Sequence, residues 1–170
     1  KECESELRGR EKGRFNNDKW YMFGRAQGIN YSGIPKLIAP EISLGGNFAY
    51  DINGQYYSTT TIYGYVKREG VNVSYETLLA VMNSDLCWWF LKHTGTVLAN
   101  GYFRFKPTYL KPFPFPNISK TNDIIINKLV NEKMRINNKK DDNINKKINE
   151  CIYNMYNLSK DDINVISKNL

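Results

Sequence analysis

The stretch SYETLLAVMNSDLCWWFLKHTG, residues 74–95, decides the fold class. Ser74 has the side-chain oxygen that an N-cap needs. After it, Leu78, Leu79, Met82, Leu86, Trp89 and Phe90 recur at helical spacing. Gly95 is a fitting stop. With Cys87, Trp88 and Leu91 added, the last turns are apolar nearly all round, so this end is expected to be buried on several sides. The reading is therefore a packed central helix, and everything else is placed around it.

Upstream the signals are β. Trp20-Tyr21-Met22-Phe23 reads as a short aromatic strand and Lys36-Leu37-Ile38-Ala39 as a second, with Pro40 biasing Ala39 towards extended backbone. Asn47–Tyr50 and Tyr56–Val66 flank Asn53-Gly54, a pair that favours a tight hairpin turn. Downstream, Tyr102–Lys106 is strand-like, with Arg104 and Lys106 expected on one face by period two. Lys111-Pro112-Phe113-Pro114-Phe115-Pro116 can be neither helix nor inner strand, because three prolines lack the backbone donor. It is expected to be an extended strap anchored by Phe113 and Phe115. After Ser119 the chain turns helical: Ile124, Ile125, Leu129 and Met134 mark one helix, and Ile144, Ile148, Ile152 and Met155 a second. A third is capped by Ser159 with Asp161 and Asp162 in its first turn, and 137–143 is the break between the first two. The expected architecture is α+β: residues 1–17 end a linking helix and loop, 18–118 form a mixed β-sheet domain with its packed central helix, and 119–170 form a C-terminal helical segment that docks onto that core or onto another domain.

Composition bounds the function. At 170 residues and 41% hydrophobic, the chain can build one core. No apolar run is long enough to cross a bilayer, and the charged opening is no secretory signal. A chain opening on Lys is what a fragment of a longer protein would show. Three widely spaced cysteines argue against a disulfide framework and fit a reducing, cytoplasmic setting. One histidine and no Cys-x-x-Cys pair leave no basis for a structural zinc site. The net charge of +7 is consistent with a polyanionic partner. Its local distribution is more informative: from Leu86 to Asn122 there is no acid, while Lys92, Arg104, Lys106, Lys111 and Lys120 are interleaved with aromatics.

The order of short motifs resembles a known family. They are Trp20-Tyr21 with Gly24-Arg25, Lys36–Ile42, Phe48–Asp51, Tyr56–Thr60, Leu78–Ser84, Arg104-Phe105, the Pro-Phe-Pro strap, and Ile152–Ser159. Together they are similar to the TaqI-like C-terminal specificity domain, over roughly residues 18–168. Such domains follow the catalytic domain in adenine-specific DNA methyltransferases and fused restriction–modification enzymes. The resemblance implies a mixed α/β module that reads base edges of double-stranded DNA in the major groove, for a methyltransferase domain of the same polypeptide. It also implies S-adenosylmethionine in that catalytic domain, with no cofactor in this chain. The Asn-Pro-Pro-Tyr type motif that holds a flipped adenine is absent from this sequence, as is a Gly-rich cofactor loop after a strand.

Candidate contacts follow from side-chain chemistry, since arginine suits guanine and Asn or Gln suits adenine. Arg25, Gln27 and Asn30 lie in a Gly-flanked loop. Lys36 begins a strand and is expected to meet phosphate or solvent. Tyr57, Ser58, Thr59 and Thr60 present hydroxyls, and Arg104, Lys106 and Tyr109 lie in the acid-free stretch. Trp88, Trp89 and Phe90 read as core rather than as base-stacking platforms, and His93 as a helix-end side chain. Other functions open at this point are a separate specificity subunit whose helices mediate assembly, a non-specific DNA-binding module, and a chain that itself cuts or modifies DNA.

Overall fold

A computed structural model describes residues 2–24, 28–57, 61–136 and 142–170. The fold is α+β, as the sequence implies. Helix α1 (Glu4–Gly13) leads into strands β1 (Lys36–Pro40), β2 (Ile42–Ser43), β3 (Ala49–Asp51) and β4 (Ile62–Tyr65). Helices α2 (Tyr75–Met82) and α3 (Asp85–Thr94) follow, then β5 (Thr96–Val97), β6 (Phe103–Arg104) and the short α4 (Pro107–Leu110). Helices α5 (Lys120–Arg135), α6 (Asp142–Met155) and α7 (Lys160–Lys168) complete the chain. The strands form two antiparallel three-stranded sheets, ordered β3-β1-β4 and β2-β6-β5.

Glu41 joins the two sheets. Its N–H donates to the Thr61 carbonyl at 2.8 Å and its carbonyl accepts from the Phe105 N–H at 2.7 Å. Both backbone groups are thus satisfied where the chain passes from one sheet to the other.

Lys36 and Asp51 face each other in the β1–β3 register. Their side chains are almost fully buried, at 2% exposure each, and the Lys36 ammonium donates to Asp51 Oδ2 at 2.7 Å. It also donates to the Ser32 carbonyl at 2.8 Å. The carboxylate accepts from the N–H groups of Gln55 at 2.9 Å and Tyr56 at 3.0 Å. Burial alone would raise the Asp51 carboxyl. The Lys36 ammonium and these two amides more than offset it, so its pKa lies below the ordinary value of 3.8.

Four expectations about the strands and the central helix need correction. Trp20–Phe23 is a turn, not a strand; Arg10 Nη2 donates to the Trp20 and Met22 carbonyls and holds it against α1. The strands on either side of Asn53-Gly54 do not form a hairpin, because both pair with β1, on opposite edges. The turn after β3 instead closes onto the Asp51 carboxylate, and Gly54 adopts a left-handed φ of 63°. The central helix is two helices. Ser84 accepts from the Cys87 N–H and donates to the Val81 carbonyl, ending α2 and capping α3 in one residue. Asn83, freed at the break, clasps Phe48: its Oδ1 accepts from the Phe48 N–H at 2.8 Å and its Nδ2 donates to the Phe48 carbonyl at 2.9 Å. Finally, β6 stops at Arg104, and Lys106 is the residue before α4.

One buried apolar cluster runs from Leu37 and Phe48 through Val81, Leu91 and Phe105 to Ile126, Ile152 and Ile166. Trp88 packs as expected, stacked on Phe105 at 6.0 Å and edge-on to Phe103 at 5.1 Å. Phe113 of the strap is buried between Phe90 and Tyr156. Phe115 is largely exposed and is not a second anchor. On α5 the buried pair is Ile126 and Val130, one step round from Ile124 and Ile125, which face outward. The α6 stripe of Ile144, Ile148 and Ile152 is buried as anticipated. A Ser159–Asp162 capping box opens α7, and Lys92 of α3 donates to the Asn169 carbonyl beyond its end. Asp123 of α5 accepts from the Ser74 N–H and hydroxyl at the start of α2. Residues 137–141, most of the expected break between α5 and α6, lie outside the described residues.

Removing one member of a buried ion pair strands the other. Lys36→Met is expected to cost about 3–5 kcal/mol, read as a lowered urea midpoint. Because the folded pKa of Asp51 is depressed, its contribution is present above the unfolded carboxyl value and is lost as pH falls through the folded value. Urea unfolding as a function of pH should therefore show less acid sensitivity in Asp51→Asn than in the wild type.

Candidate nucleic-acid interface

The outer face of the second sheet is built from three short strands in register. Ile42 of β2 lies opposite Arg104 of β6, which lies opposite Thr96 of β5. Direct cross-strand partners project to the same side of a sheet, so the three form one row. In the next row Ser43 and Phe103 are buried while Val97, at the β5 edge, is exposed, so over β2 and β6 the Ile42–Arg104–Thr96 row is the outward one. The Thr96 hydroxyl donates to the Tyr109 hydroxyl at 2.7 Å, tying α4 to the end of the row. Lys106, half-buried, and the exposed Lys111 bracket α4.

The acid-free stretch is not acid-free in space. Glu41 Oε1 lies 3.4 Å from Arg104 Nε, with side-chain exposures of 19% and 35%. Arg104 Nε is buried and makes no hydrogen bond of normal geometry. Burial and the adjacent Glu41 carboxylate push the Tyr63 phenol above its ordinary value. Glu41 therefore lies between a guanidinium and a phenol, at the junction of the two sheets.

A second exposed region is formed by two abutting loops. A side chain at Gly54 would lie 2.5 Å from the Gly33 carbonyl carbon and the Ile34 nitrogen, so the turn after β3 rests directly on the segment before β1. Tyr31, Ile34, Ile52 and Tyr56 are exposed on these loops. Asn30 is also exposed, in the single 3-10 turn Ile29–Tyr31. Tyr57 is exposed but is not in a strand.

The anticipated contact residues thus divide. Arg104 and Tyr109 come together on one face, with Lys106 at its border. Asn30 and Tyr57 lie on the neighbouring loops. Lys36 does not belong with either group: its ammonium is buried and bonded to Asp51 and the Ser32 carbonyl, so it presents no charge to a phosphate. Arg25, Gln27, Thr59 and Thr60 lie outside the described residues, as does Ser58. Ile42, Glu41 and Thr96 were missed because each becomes part of the face only through strand pairing. The one local signal was Pro40-Glu41-Ile42, where a proline ends one strand two residues before the next begins.

Other chemistry is sparse. Among the described residues no group of three or more His, Cys, Asp or Glu side chains could hold a metal ion. His93 Nδ1 lies 2.7 Å from the Trp89 carbonyl oxygen, within its own helix. Cys87 is buried, and burial pushes its thiol up to about 12, so it packs as an inert apolar side chain. A groove of about 980 Å³ opens between the 46–50 segment, the α2–α3 junction, α5 and α6, and is lined in part by Asp85, Lys133, Asn149 and Tyr153. Among the described residues, none of the anticipated DNA contacts lines it. No described helix is long and apolar enough to cross a membrane.

The sequence pattern described as the TaqI-like C-terminal specificity domain matches residues 5–115, from α1 through the strap. The chain belongs to this family. Membership implies a DNA target-recognition role in the context of a restriction–modification methyltransferase. The match contains both sheets, the two central helices and every anticipated contact residue, and it ends before α5, short of the span to residue 168 that the motifs implied. No curated protein matches the chain.

The contact between Gly54 and the segment before β1 gives a direct test of how the two loops depend on each other. Gly54→Ala combines a left-handed φ with a backbone clash. It should cost roughly 1–3 kcal/mol. The Gln55 and Tyr56 amides should lose hydrogen-exchange protection, measured by mass spectrometry.

Proposed function

We propose that this chain is the sequence-reading domain of a site-specific adenine-N6 DNA methyltransferase, or of a fused type II restriction–modification enzyme, and that it binds double-stranded DNA. The observation that carries the reading is the family match together with an outward strand row holding an arginine in its centre. A short β-element can enter the major groove, where each base pair shows a distinct pattern of donors and acceptors. Lys106 and Lys111 beside the row supply phosphate contacts, which position a protein on the duplex without reading sequence. Asn30 and Tyr57 extend the contact region along the abutting loops, and Arg25, Gln27, Thr59 and Thr60 are proposed as further contacts on their side-chain chemistry. Methyl transfer, and the S-adenosylmethionine it consumes, belong to a catalytic domain of the same polypeptide; this chain contributes binding and orientation of the DNA.

Two measurements on the full-length protein test this. Fluorescence titration should show preference for one duplex sequence over its scrambled form, and equal affinity at physiological salt would sink the proposal. Methylation of the preferred duplex should yield N6-methyladenine by mass spectrometry. Lys106→Gln and Lys111→Gln should each lower the slope of log affinity against log salt by about one and leave sequence preference intact.

A further inference from the structure

The Glu41–Arg104 pair is unusual for a surface that meets DNA. A guanidinium beside a carboxylate is a poor phosphate ligand, because the pair is close to neutral and the carboxylate repels the phosphate. It remains a good ligand for a neutral base edge, where a planar fork of N–H donors matters more than net charge. Arg104 has the geometry for this. Its Nε is buried against Glu41 at 3.4 Å, and no hydrogen bond within the described residues engages Nη1 or Nη2. The side chain is one-third exposed, between Ile42 and Thr96 on the outward row. The Glu41 backbone is fixed at the sheet junction, bonded to Thr61 on one side and Phe105 on the other.

Building on the DNA-reading role proposed above, we infer that Arg104 reads a guanine through its O6 and N7 atoms in the major groove, and that Glu41 is a positioning residue that holds the Nη fork outward and turns it away from phosphate. Arg104 is thus a specificity determinant, whereas Lys106 and Lys111 carry the sequence-independent binding. Glu41 acts through Arg104 and makes no base contact of its own.

The test is selection of bound duplexes from a randomised pool by the full-length protein, as wild type, Arg104→Gln, Arg104→Lys and Glu41→Gln. The wild-type consensus should contain a guanine at which Arg104→Gln loses discrimination, by about 5- to 150-fold. Replacing that guanine with 7-deazaguanine, which lacks N7, should weaken wild type and leave Arg104→Gln unaffected. Hypoxanthine, which keeps N7 and O6, should be tolerated by both. Glu41→Gln should reduce discrimination at the same position while strengthening binding to scrambled duplex and steepening its salt dependence, because the freed cation becomes available to phosphate. A Glu41 with a merely structural role would instead weaken all duplexes alike. If Arg104→Gln leaves the consensus unchanged and lowers the salt slope by about one, Arg104 is a phosphate contact and the inference is wrong. Should Arg104→Gln fail to fold, Arg104→Lys carries the same comparison, since it keeps the charge and loses the fork. A wild type without any consensus would overturn the DNA-reading role itself, an outcome distinct from a consensus that ignores Arg104.

Discussion

The buried contact between Lys36 and Asp51 is the constraint on which the first sheet and its loops depend. An isolated ammonium or carboxylate at such a site would be costly, and together they require each other. The pair sets the β1–β3 register, because a slip of one residue would move both side chains to opposite faces. It also reaches beyond the sheet. The ammonium gathers the Ser32 carbonyl, and the carboxylate gathers the amides of Gln55 and Tyr56. Two loops far apart in sequence are thereby closed against one another, with Gly54 the only kind of residue that fits between them. A charge expected at the surface serves as the clamp that shapes the surface.

The second organising device is the break between α2 and α3. A continuous helix would carry Asn83 and Ser84 within its ladder. Instead Ser84 caps the second helix, and Asn83 turns outward to bind both backbone groups of Phe48. Phe48 then packs against Phe105, which stacks on Trp88, so both sheets meet the helices through one aromatic chain. The C-terminal helices close this core from behind: Ile126 and Val130 on α5, and Ile152 on α6, are buried in the same cluster. The family pattern ends before α5, yet the core it describes is completed by residues that follow it.

Electrostatics at the outward strand row follow from topology. Residues 86–122 hold no acid, and along the chain Arg104 looks like a free cation. Pairing of β2 with β6 brings Glu41 to within 3.4 Å of it. The result is a fork of donors whose charge is offset by the neighbouring carboxylate, better suited to hydrogen bonding than to neutralising phosphate. Lys106 and Lys111, which form no ion pair among the described residues, are the groups proposed for the second role. One short face can thus separate affinity from discrimination.

Sequence alone determined the α+β class, the position of β1 and β3, the caps at Ser74 and Ser159, the packing of Trp88 against the core, the buried Ile144–Ile148–Ile152 stripe, and the family. These are set by local rules, namely side-chain periodicity, capping chemistry and motif order, which act over a few residues and so can be read along the chain. Tertiary structure alone decided that Lys36 is buried, that the strands around Asn53-Gly54 are separated by β1, that the central helix breaks at Ser84, and that Glu41 tempers Arg104. The Ser84 cap is itself local, but the contacts that fix these arrangements reach partners 15 or more residues away: Asp51 for Lys36, Phe48 for Asn83, Glu41 for Arg104. Pairing at that range depends on which surfaces the whole chain can bury together, and no local pattern encodes it.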